Sequence, residues 1–177
     1  MPITSPFELL QSLETRCRKN SSGMPTGKAV SDDWVGIGFS INNIPLLAKM
    51  DEVSEIAPLP ETVRVPGVKS WVKGIANIRG SLMPVLDMRA YLFGDATELN
   101  KNSRILIINQ MGLSAGLLVE EVYGMRRFKP DERGDEVDPD LGSIRDYLIG
   151  NFVDRVQRWN VFSVEKLVKT DQFVRVV

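Results

Sequence analysis

The fold is decided by residues 65–88, which read VPGVKSWVKGIANIRGSLMPVLDM. Two segments rich in apolar residues, 72–78 and 82–86, flank the dipeptide Arg79-Gly80 and predict two strands joined by a tight turn. Gly80 permits the positive φ that such a turn needs, and the Asn77 side chain can hold the turn through hydrogen bonds. The stretch therefore predicts a β-hairpin whose tip presents Arg79, whose planar guanidinium can bind a carboxylate or carbonyl groups of a partner.

Short strand-like segments continue outward from this hairpin in both directions. Residues 34–41 alternate apolar side chains, and Asn42-Asn43 predicts a hairpin turn because asparagine tolerates positive φ. The other predicted strands are residues 44–49, 53–56, 104–109, 113–119, 122–128, 147–153 and 156–162. Short helices are predicted at residues 87–93 and 164–169, and an acidic loop at residues 130–142. About nine or ten short strands suit two small β-barrels that share a middle core.

The first 33 residues follow a different pattern and are predicted to lie outside the main domain. Ser5 and Glu8 form a capping box for a helix. An apolar stripe at helical spacing follows, formed by Phe7, Leu10, Leu13 and Cys17. Residues 20–27 are rich in Ser, Gly and Pro and predict a flexible linker. The predicted organisation is an amphipathic helix and linker at 1–33, a main domain at 34–169 and a C-terminal tail at 170–177.

Composition narrows the classes of function. The 177 residues include 22 basic and 23 acidic side chains, so the basic excess of a nucleic-acid-binding protein is missing. The chain has no histidine and one cysteine, which removes the commonest general base and the usual zinc ligands. We therefore predict no catalytic residue, no metal and no cofactor, and expect that the chain is not an enzyme. No apolar run is long enough to span a membrane and no signal peptide is recognised, so a cytoplasmic location is predicted.

Weaker motifs have simpler structural roles. Gly36-Ile37-Gly38 lacks the third glycine of a dinucleotide fingerprint and is better explained by small residues in a tight barrel strand. The acidic residues between 131 and 140 lack the spacing of a calcium loop. An alternative function, a small barrel that binds a ligand or single-stranded nucleic acid, needs aromatic and basic side chains on one face. Its candidates are Trp71, Tyr91, Phe93 and residues 126–129.

The hairpin motif G-x-x-N-x-R-G-x-x-x-P-V-x-D, at residues 74–87, resembles the signature of the CheW family of chemotaxis coupling proteins. Residues 53–56, VSEI, are similar to the family's V-x-E-I strand, and residues 116–122, GLLVEEV, to its G-I-V-V-D-x-V strand. The resemblance covers about residues 34–169, and the N-terminal helix with its linker is similar to that of family members from type IV pilus (twitching motility) chemosensory systems.

The resemblance implies a mainly β fold of two SH3-like five-stranded β-barrels, with a third apolar core between them, an N-terminal helix and a short C-terminal helix. It also implies a non-catalytic adaptor that couples methyl-accepting chemoreceptors to a CheA-type histidine kinase. The implied partners are the regulatory domain of that kinase and the cytoplasmic tip of a receptor. Nucleic acid binding and membrane insertion are not implied, and the implied location is at receptor arrays near the inner membrane.

The resemblance further implies a set of partner-binding positions. The candidates are Arg79, Val53, Glu55, Ile56, Asn77 and Gly80. Strand alternation predicts Val53 and Glu55 on one face and Ile56 on the other, which favours the first two as contacts. A purely structural role stays open for four of them, because Asn77 and Gly80 could serve only the turn, and Val53 and Ile56 could be ordinary core positions.

Overall fold

In the computed structural model, which describes residues 6–20 and 33–175, the chain divides into two units, Met1–Asp32 and Asp33–Val177. Helix α1, Pro6–Asn20, belongs to the first unit, and its Phe7, Leu10 and Leu13 side chains are exposed. The helix was predicted from that apolar spacing and is confirmed. Ser5 of the predicted capping box and most of the predicted linker lie outside the described residues.

Within the described part of the second unit, eleven strands form two sheets, which confirms the mainly β fold. The strands of the six-stranded sheet, in spatial order, are β8 (Glu121–Phe128), β1 (Trp34–Ile41), β2 (Ile44–Lys49), β11 (Arg158–Phe162), β10 (Leu148–Val153) and β9 (Arg133–Gly134). Those of the five-stranded sheet, in spatial order, are β3 (Glu55–Pro58), β6 (Arg104–Gln110), β7 (Leu113–Val119), β5 (Ser81–Asp87) and β4 (Val72–Ile78). Five strands were expected in each sheet, and the sixth is the two-residue strand β9, which lies in the segment predicted as a loop.

Three apolar clusters form the core, and this arrangement agrees with the expected third core between two barrels. One cluster lies inside the five-stranded sheet and includes Met83, Val85 and Ile105. Another lies inside the six-stranded sheet, where Phe152 and Trp159 are fully buried. The largest, the central cluster, joins residues of both sheets, and its burial from water ties the two sheets into one folded unit.

Short helices close the central cluster. Helix α2, Met88–Phe93, begins after Asp87 and ends at Gly94, as the sequence predicted. Helix α3, Val164–Val168, begins after Ser163, whose side chain accepts a hydrogen bond from the Lys166 N–H. Helix α4, Asp171–Val174, lies in the segment predicted as a tail, and its Phe173 side chain is buried in the central cluster. Residues 170–174 are therefore part of the packed fold rather than a free tail.

Two glycines of β1 show why that strand needs small residues. A Cβ at Gly36 would lie 2.5 Å from the Trp34 ring and 2.6 Å from the Ala48 carbonyl oxygen. A Cβ at Gly38 would lie 3.2 Å from the Trp159 ring. Close packing around β1 therefore accounts for Gly36-Ile37-Gly38, as expected for small residues in a tight barrel strand.

Candidate functional site

Strand directions bring the predicted site residues to one end of the five-stranded sheet. Strands β5 and β7 are parallel, while β6 is antiparallel to both β3 and β7. Strands β3, β5 and β7 therefore all begin at the same end. We call this the hairpin end; it comprises residues 53–55, the turn and strand start at 79–82, and the turn at 111–112.

Side-chain hydrogen bonds tie the start of β3 to the turn between β6 and β7. The Asn109 side chain donates to Ser54 Oγ at 3.2 Å, and Gln110 Nε2 lies 3.5 Å from the Asp51 carbonyl oxygen. These contacts place the segment before Glu55 beside the turn of the β6–β7 hairpin.

The turn that carries Arg79 has the geometry that the sequence predicted. Gly80 adopts φ +87°, and its N–H donates to Asn77 Oδ1 at 2.8 Å. Arg79 itself adopts φ +50°, a region where a residue with a Cβ costs about 1–2 kcal/mol. The turn is therefore held by Asn77, while Arg79 occupies a backbone conformation that its side chain does not favour.

The Arg79 guanidinium makes an ion pair with Glu55. Arg79 Nη2 lies 2.8 Å from Glu55 Oε1, with the side chains 80% and 29% exposed respectively. An ion pair this exposed contributes at most about 1 kcal/mol to stability. Its main effect is to orient the guanidinium at the surface, with most of its donors still free for a partner. The structure thus joins two of the predicted site residues that are far apart in sequence.

A groove lies next to this ion pair. Its volume is about 330 Å³, and its lining residues are Glu55, Ala57, Pro58, Leu59, Pro60, Asn77, Ile78, Arg79 and Ile105. Most of the lining is apolar, with the charges of Glu55 and Arg79 at the rim. Such an arrangement suits a partner that places an apolar side chain in the groove and a polar group on the arginine.

The remaining predicted residues, Val53 and Ile56, differ in burial. Val53 precedes strand β3 and packs in the central cluster, so its side chain is not available at the surface. Ile56 is exposed on the edge strand β3. The preference for Val53 over Ile56 as a surface contact is therefore corrected, because the central cluster covers the Val53 side chain and leaves Ile56 exposed.

Comparison with known proteins places this fold and hairpin in a family. A family model for the CheW-like domain matches residues 36–172. The chain belongs to the CheW-like family. It is 36% identical over 174 residues to protein PilI of Pseudomonas aeruginosa, covering 98% of this chain and 97% of PilI. It is 26% identical over 135 residues to chemotaxis protein CheW of Bacillus subtilis, covering 76% of each chain.

A solved structure agrees with the CheW-like fold. The scaffolding protein TtCheW from Thermoanaerobacter tengcongensis matches with a TM-score of 0.68 at 19% identity, covering 78% of this chain and 90% of that chain. At this identity the match supports the fold alone. Together with the family match, it confirms the resemblance inferred from the hairpin motif.

The hairpin end of this CheW-like domain also contains residues that the sequence pattern did not single out. Met111, in the turn between β6 and β7, is 70% exposed, and Leu82, the second residue of β5, is 75% exposed. The sequence did indicate a turn at Gly112. That Met111 and Leu82 lie at the same end of the sheet follows from the parallel pairing of β5 with β7, which sequence periodicity does not show.

The aromatic residues required by the alternative ligand or nucleic-acid function do not form an exposed platform. Trp71 and Tyr91 pack against each other with ring centroids 5.3 Å apart, and both contact the central cluster, as does Phe93. Arg126 lies over the Trp159 ring, 5.1 Å from its centroid, in the six-stranded sheet. These side chains are committed to packing, and no observation on them favours this alternative.

Two further observations concern metals and membranes. In the described residues, no group of three or more histidine, cysteine, aspartate or glutamate side chains is placed to hold a metal ion. None of the helices in those same ranges is long and apolar enough to cross a bilayer.

Proposed function

We propose that this CheW-like chain is a non-catalytic adaptor that couples methyl-accepting chemoreceptors to a CheA-type histidine kinase. Membership of the CheW-like family supports the class of function. The observation that carries the binding role is the exposed Arg79 guanidinium, oriented by Glu55 beside an apolar groove. The similarity to PilI over nearly the whole chain supports a place in a type IV pilus chemosensory system.

The proposed partner-binding surface comprises Arg79, Glu55, Ile56, Asn77 and Gly80. Arg79 supplies a planar cation, and Glu55 fixes its direction. Ile56 adds exposed apolar area on the neighbouring edge strand. Asn77 and Gly80 keep the turn in the conformation that presents the arginine. Val53, which was also a candidate, supports this surface from within the central cluster.

The adaptor acts by placement rather than by chemistry. The chain contains no histidine, so it has no imidazole to accept the phosphoryl group that a histidine kinase transfers. One barrel binds the kinase regulatory domain, and a receptor tip binds the same molecule, so that the two partners are held in a fixed arrangement. Transient interfaces of this kind bury about 1,000–1,600 Å², are individually weak and gain strength by multivalency in an array. The array setting is at the cytoplasmic side of the inner membrane.

Calorimetry tests the proposal. Wild-type protein is titrated with the regulatory domain of a CheA-type kinase and, separately, with a receptor tip fragment. Arg79→Glu is compared with Arg155→Glu, a matched charge reversal at an exposed position between β10 and β11, and circular dichroism confirms that both variants are folded. We expect micromolar wild-type binding to both partners, a loss of at least tenfold toward one partner for Arg79→Glu, and no loss for Arg155→Glu. If the wild-type protein binds neither partner, the adaptor proposal is refuted.

We also propose that the CheW-like domain that carries this function begins at residue 34 and includes the packed residues 170–174 as well as the expected 34–169, and that residues 1–33 are an appendage. The family match over residues 36–172 supports this boundary. A fragment of residues 34–175, which retains the buried Phe173, is expected to unfold cooperatively and to bind the kinase domain as tightly as the full chain. A fragment that is unfolded would show that the boundary is misplaced.

A further inference from the structure

The segment that connects β3 to β4 forms a pocket with the first residues of β4, the edge strand of the five-stranded sheet. The volume of this pocket is about 420 Å³, and its lining residues are Thr62, Arg64, Val65, Val68, Lys69, Ser70, Val72 and Lys73. It shares no residue with the partner-binding surface proposed above. The pocket is therefore a separate site, and its own lining indicates what it can bind.

All the charged residues of this lining are cations: Arg64, Lys69 and Lys73. The chain has 23 acidic side chains and a net charge of −1, yet none of its acidic residues lines the pocket. Three like charges around one cavity repel each other, and an anion bound between them removes that repulsion. The charge of the pocket thus favours an anionic ligand.

The fold does not neutralise these cations. Within residues 6–20 and 33–175, neither Arg64 nor Lys69 takes part in a salt bridge or a side-chain hydrogen bond. Lys73 Nζ lies 3.9 Å from Asp87 Oδ2, beyond hydrogen-bond distance, and the Asp87 carboxylate already accepts three hydrogen bonds from other residues. All three cations therefore keep N–H donors for a ligand.

Backbone contacts fix the frame of the pocket. Val63 and Ile75 exchange two backbone hydrogen bonds, of 2.8 and 2.9 Å, which attach the connecting segment to β4. A Cβ at Gly74 would lie 2.3 Å from the Val63 carbonyl oxygen, so this close approach requires glycine. On the other side of the pocket, the Val72 N–H donates to the Lys69 carbonyl at 3.0 Å. A frame that is already ordered lowers the entropic cost of binding.

The uncharged lining narrows the kind of anion. Thr62 and Ser70 add hydroxyl groups to the three cations. A phosphate group, with several acceptor oxygens and close to two negative charges, suits such a set of donors better than a single carboxylate. Val65, Val68 and Val72 supply apolar area. The volume falls within the range of pockets that hold small organic molecules, about 300–1,000 Å³, which leaves room for an organic group beside the phosphate.

We infer that this pocket binds a phosphorylated small molecule, with the phosphate on Arg64, Lys69 and Lys73 and the organic group against the valines. The inference goes beyond the proposed adaptor function, because it gives the chain a ligand that is neither a receptor nor a kinase. It rests on the lining of the pocket and not on the Arg79 surface.

Calorimetry on the full-length protein tests the inference with two phosphate monoesters, AMP and phenyl phosphate. Adenosine lacks the phosphate group, and inorganic phosphate lacks the organic group. We expect at least one ester to bind about tenfold more tightly than inorganic phosphate, and adenosine to bind more weakly than AMP by at least the same factor.

A double variant places the binding in the pocket. Arg64→Gln combined with Lys69→Gln removes two positive charges and keeps polar side chains at both positions. We expect affinity for the esters to fall about tenfold or more, with the thermal midpoint unchanged. Lys101→Gln combined with Arg155→Gln is the matched control, since it removes the same charge from two exposed positions outside the pocket and should leave affinity unchanged.

Every other outcome overturns the inference. Failure of the wild type to bind either ester would show that the pocket is not a phosphate site. Equal losses for the two double variants would show a general effect of net charge, and equal affinity for AMP and adenosine would show that the phosphate is not recognised. If the wild type binds no ester and the pocket variant instead weakens binding of the kinase domain, the cations contact that protein, and the adaptor stands without this ligand.

Discussion

The two ends of strand β5 differ in burial, hydrogen bonding and backbone strain. At one end, the Asp87 side chain is fully buried and accepts hydrogen bonds from the Ala90 N–H, the Thr97 N–H and the Thr97 hydroxyl at 3.1, 3.0 and 2.6 Å. At the other, Arg79 is 80% exposed in a strained turn. Both Asp87 and Arg79 belong to the same sequence motif. Burial and hydrogen-bond satisfaction therefore separate the residue that builds the fold from the one that is free to bind.

Asp87→Ala should have the largest effect on stability of the variants considered. A small loss would contradict the contrast drawn between the two ends of β5. The substitution leaves the Ala90 and Thr97 donors without their acceptor inside the protein and removes the cap of helix α2. We expect a loss of about 3 kcal/mol or more in the free energy of unfolding, measured by urea denaturation followed by circular dichroism.

Thr97→Val is the control for Asp87→Ala, because it removes the hydroxyl donor and leaves the carboxylate with its backbone partners. It should lose only about 1 kcal/mol. If Asp87→Ala lost less than Thr97→Val, the buried carboxylate would not be the structural centre of this end.

In the six-stranded sheet, the Asp154 carboxylate stabilises a turn near the surface by accepting hydrogen bonds, as Asp87 does in the buried end of β5. Hydrogen bonds from the Trp159 indole, Gln157 N–H and Val156 N–H hold the pKa of Asp154 below its ordinary value of 3.8. Asp154→Ala is expected to lose about 2 kcal/mol at pH 7, because it leaves the buried Trp159 N–H unpaired.

The same substitution predicts a pH dependence. Since the folded-state pKa of Asp154 is depressed, the ionised carboxylate stabilises the protein above pH 3.8, and this contribution is lost as the pH falls through the lower folded-state value. The difference in unfolding free energy between wild type and Asp154→Ala should therefore shrink as the pH is lowered from about 5 to about 3. A difference that stays constant over that range would contradict the role of the charge.

Local signals made much of the fold predictable from the sequence. Strands β1 and β2 were predicted with the bounds that the structure shows, because their alternation and the Asn42-Asn43 turn depend only on neighbouring residues. The Asn77 bond to the Arg79-Gly80 turn was predictable for the same reason.

The candidate site was less predictable because its contacts join distant segments. The Glu55–Arg79 ion pair depends on how the five-stranded sheet curls, because it joins β3 to the turn between β4 and β5. Burial of Val53 likewise depends on the central cluster, which both sheets build. Sequence periodicity gives the faces of a strand but not which of those faces another sheet will cover.

Asn77→Ala tests the exposed end of β5 by removing the hydrogen bond that holds the Arg79-Gly80 turn, while the Arg79 side chain stays in place. The loss of its bond to the Gly80 N–H should lower the free energy of unfolding by about 1 kcal/mol. Partner affinity should fall a few-fold, because Arg79 is then held less firmly. Asn109→Ala, which removes an exposed side-chain bond to Ser54 at the same end, should leave affinity nearly unchanged. Equal losses of affinity for the two variants would show that Asn77 has no special part in presenting Arg79.

The smallest effect on stability is expected for Glu55→Gln, which removes the charge opposite Arg79. Because this ion pair is largely exposed, the free energy of unfolding should change by no more than about 0.5 kcal/mol. Partner affinity should fall about threefold, since the guanidinium loses the carboxylate that orients it. Both quantities can be measured on one preparation, by denaturation and by calorimetry.

A charge swap distinguishes an ion pair that serves only the fold from an arginine that serves a partner. Glu55→Arg alone places two cations together and should lower stability slightly, and adding Arg79→Glu should recover that loss because opposite charges again face each other. Binding should not recover, because the planar cation no longer projects from the strained turn toward the partner. Recovery of both stability and binding in the double variant would mean that the pair acts only as a structural link. Both ends of β5 would then have a structural role only.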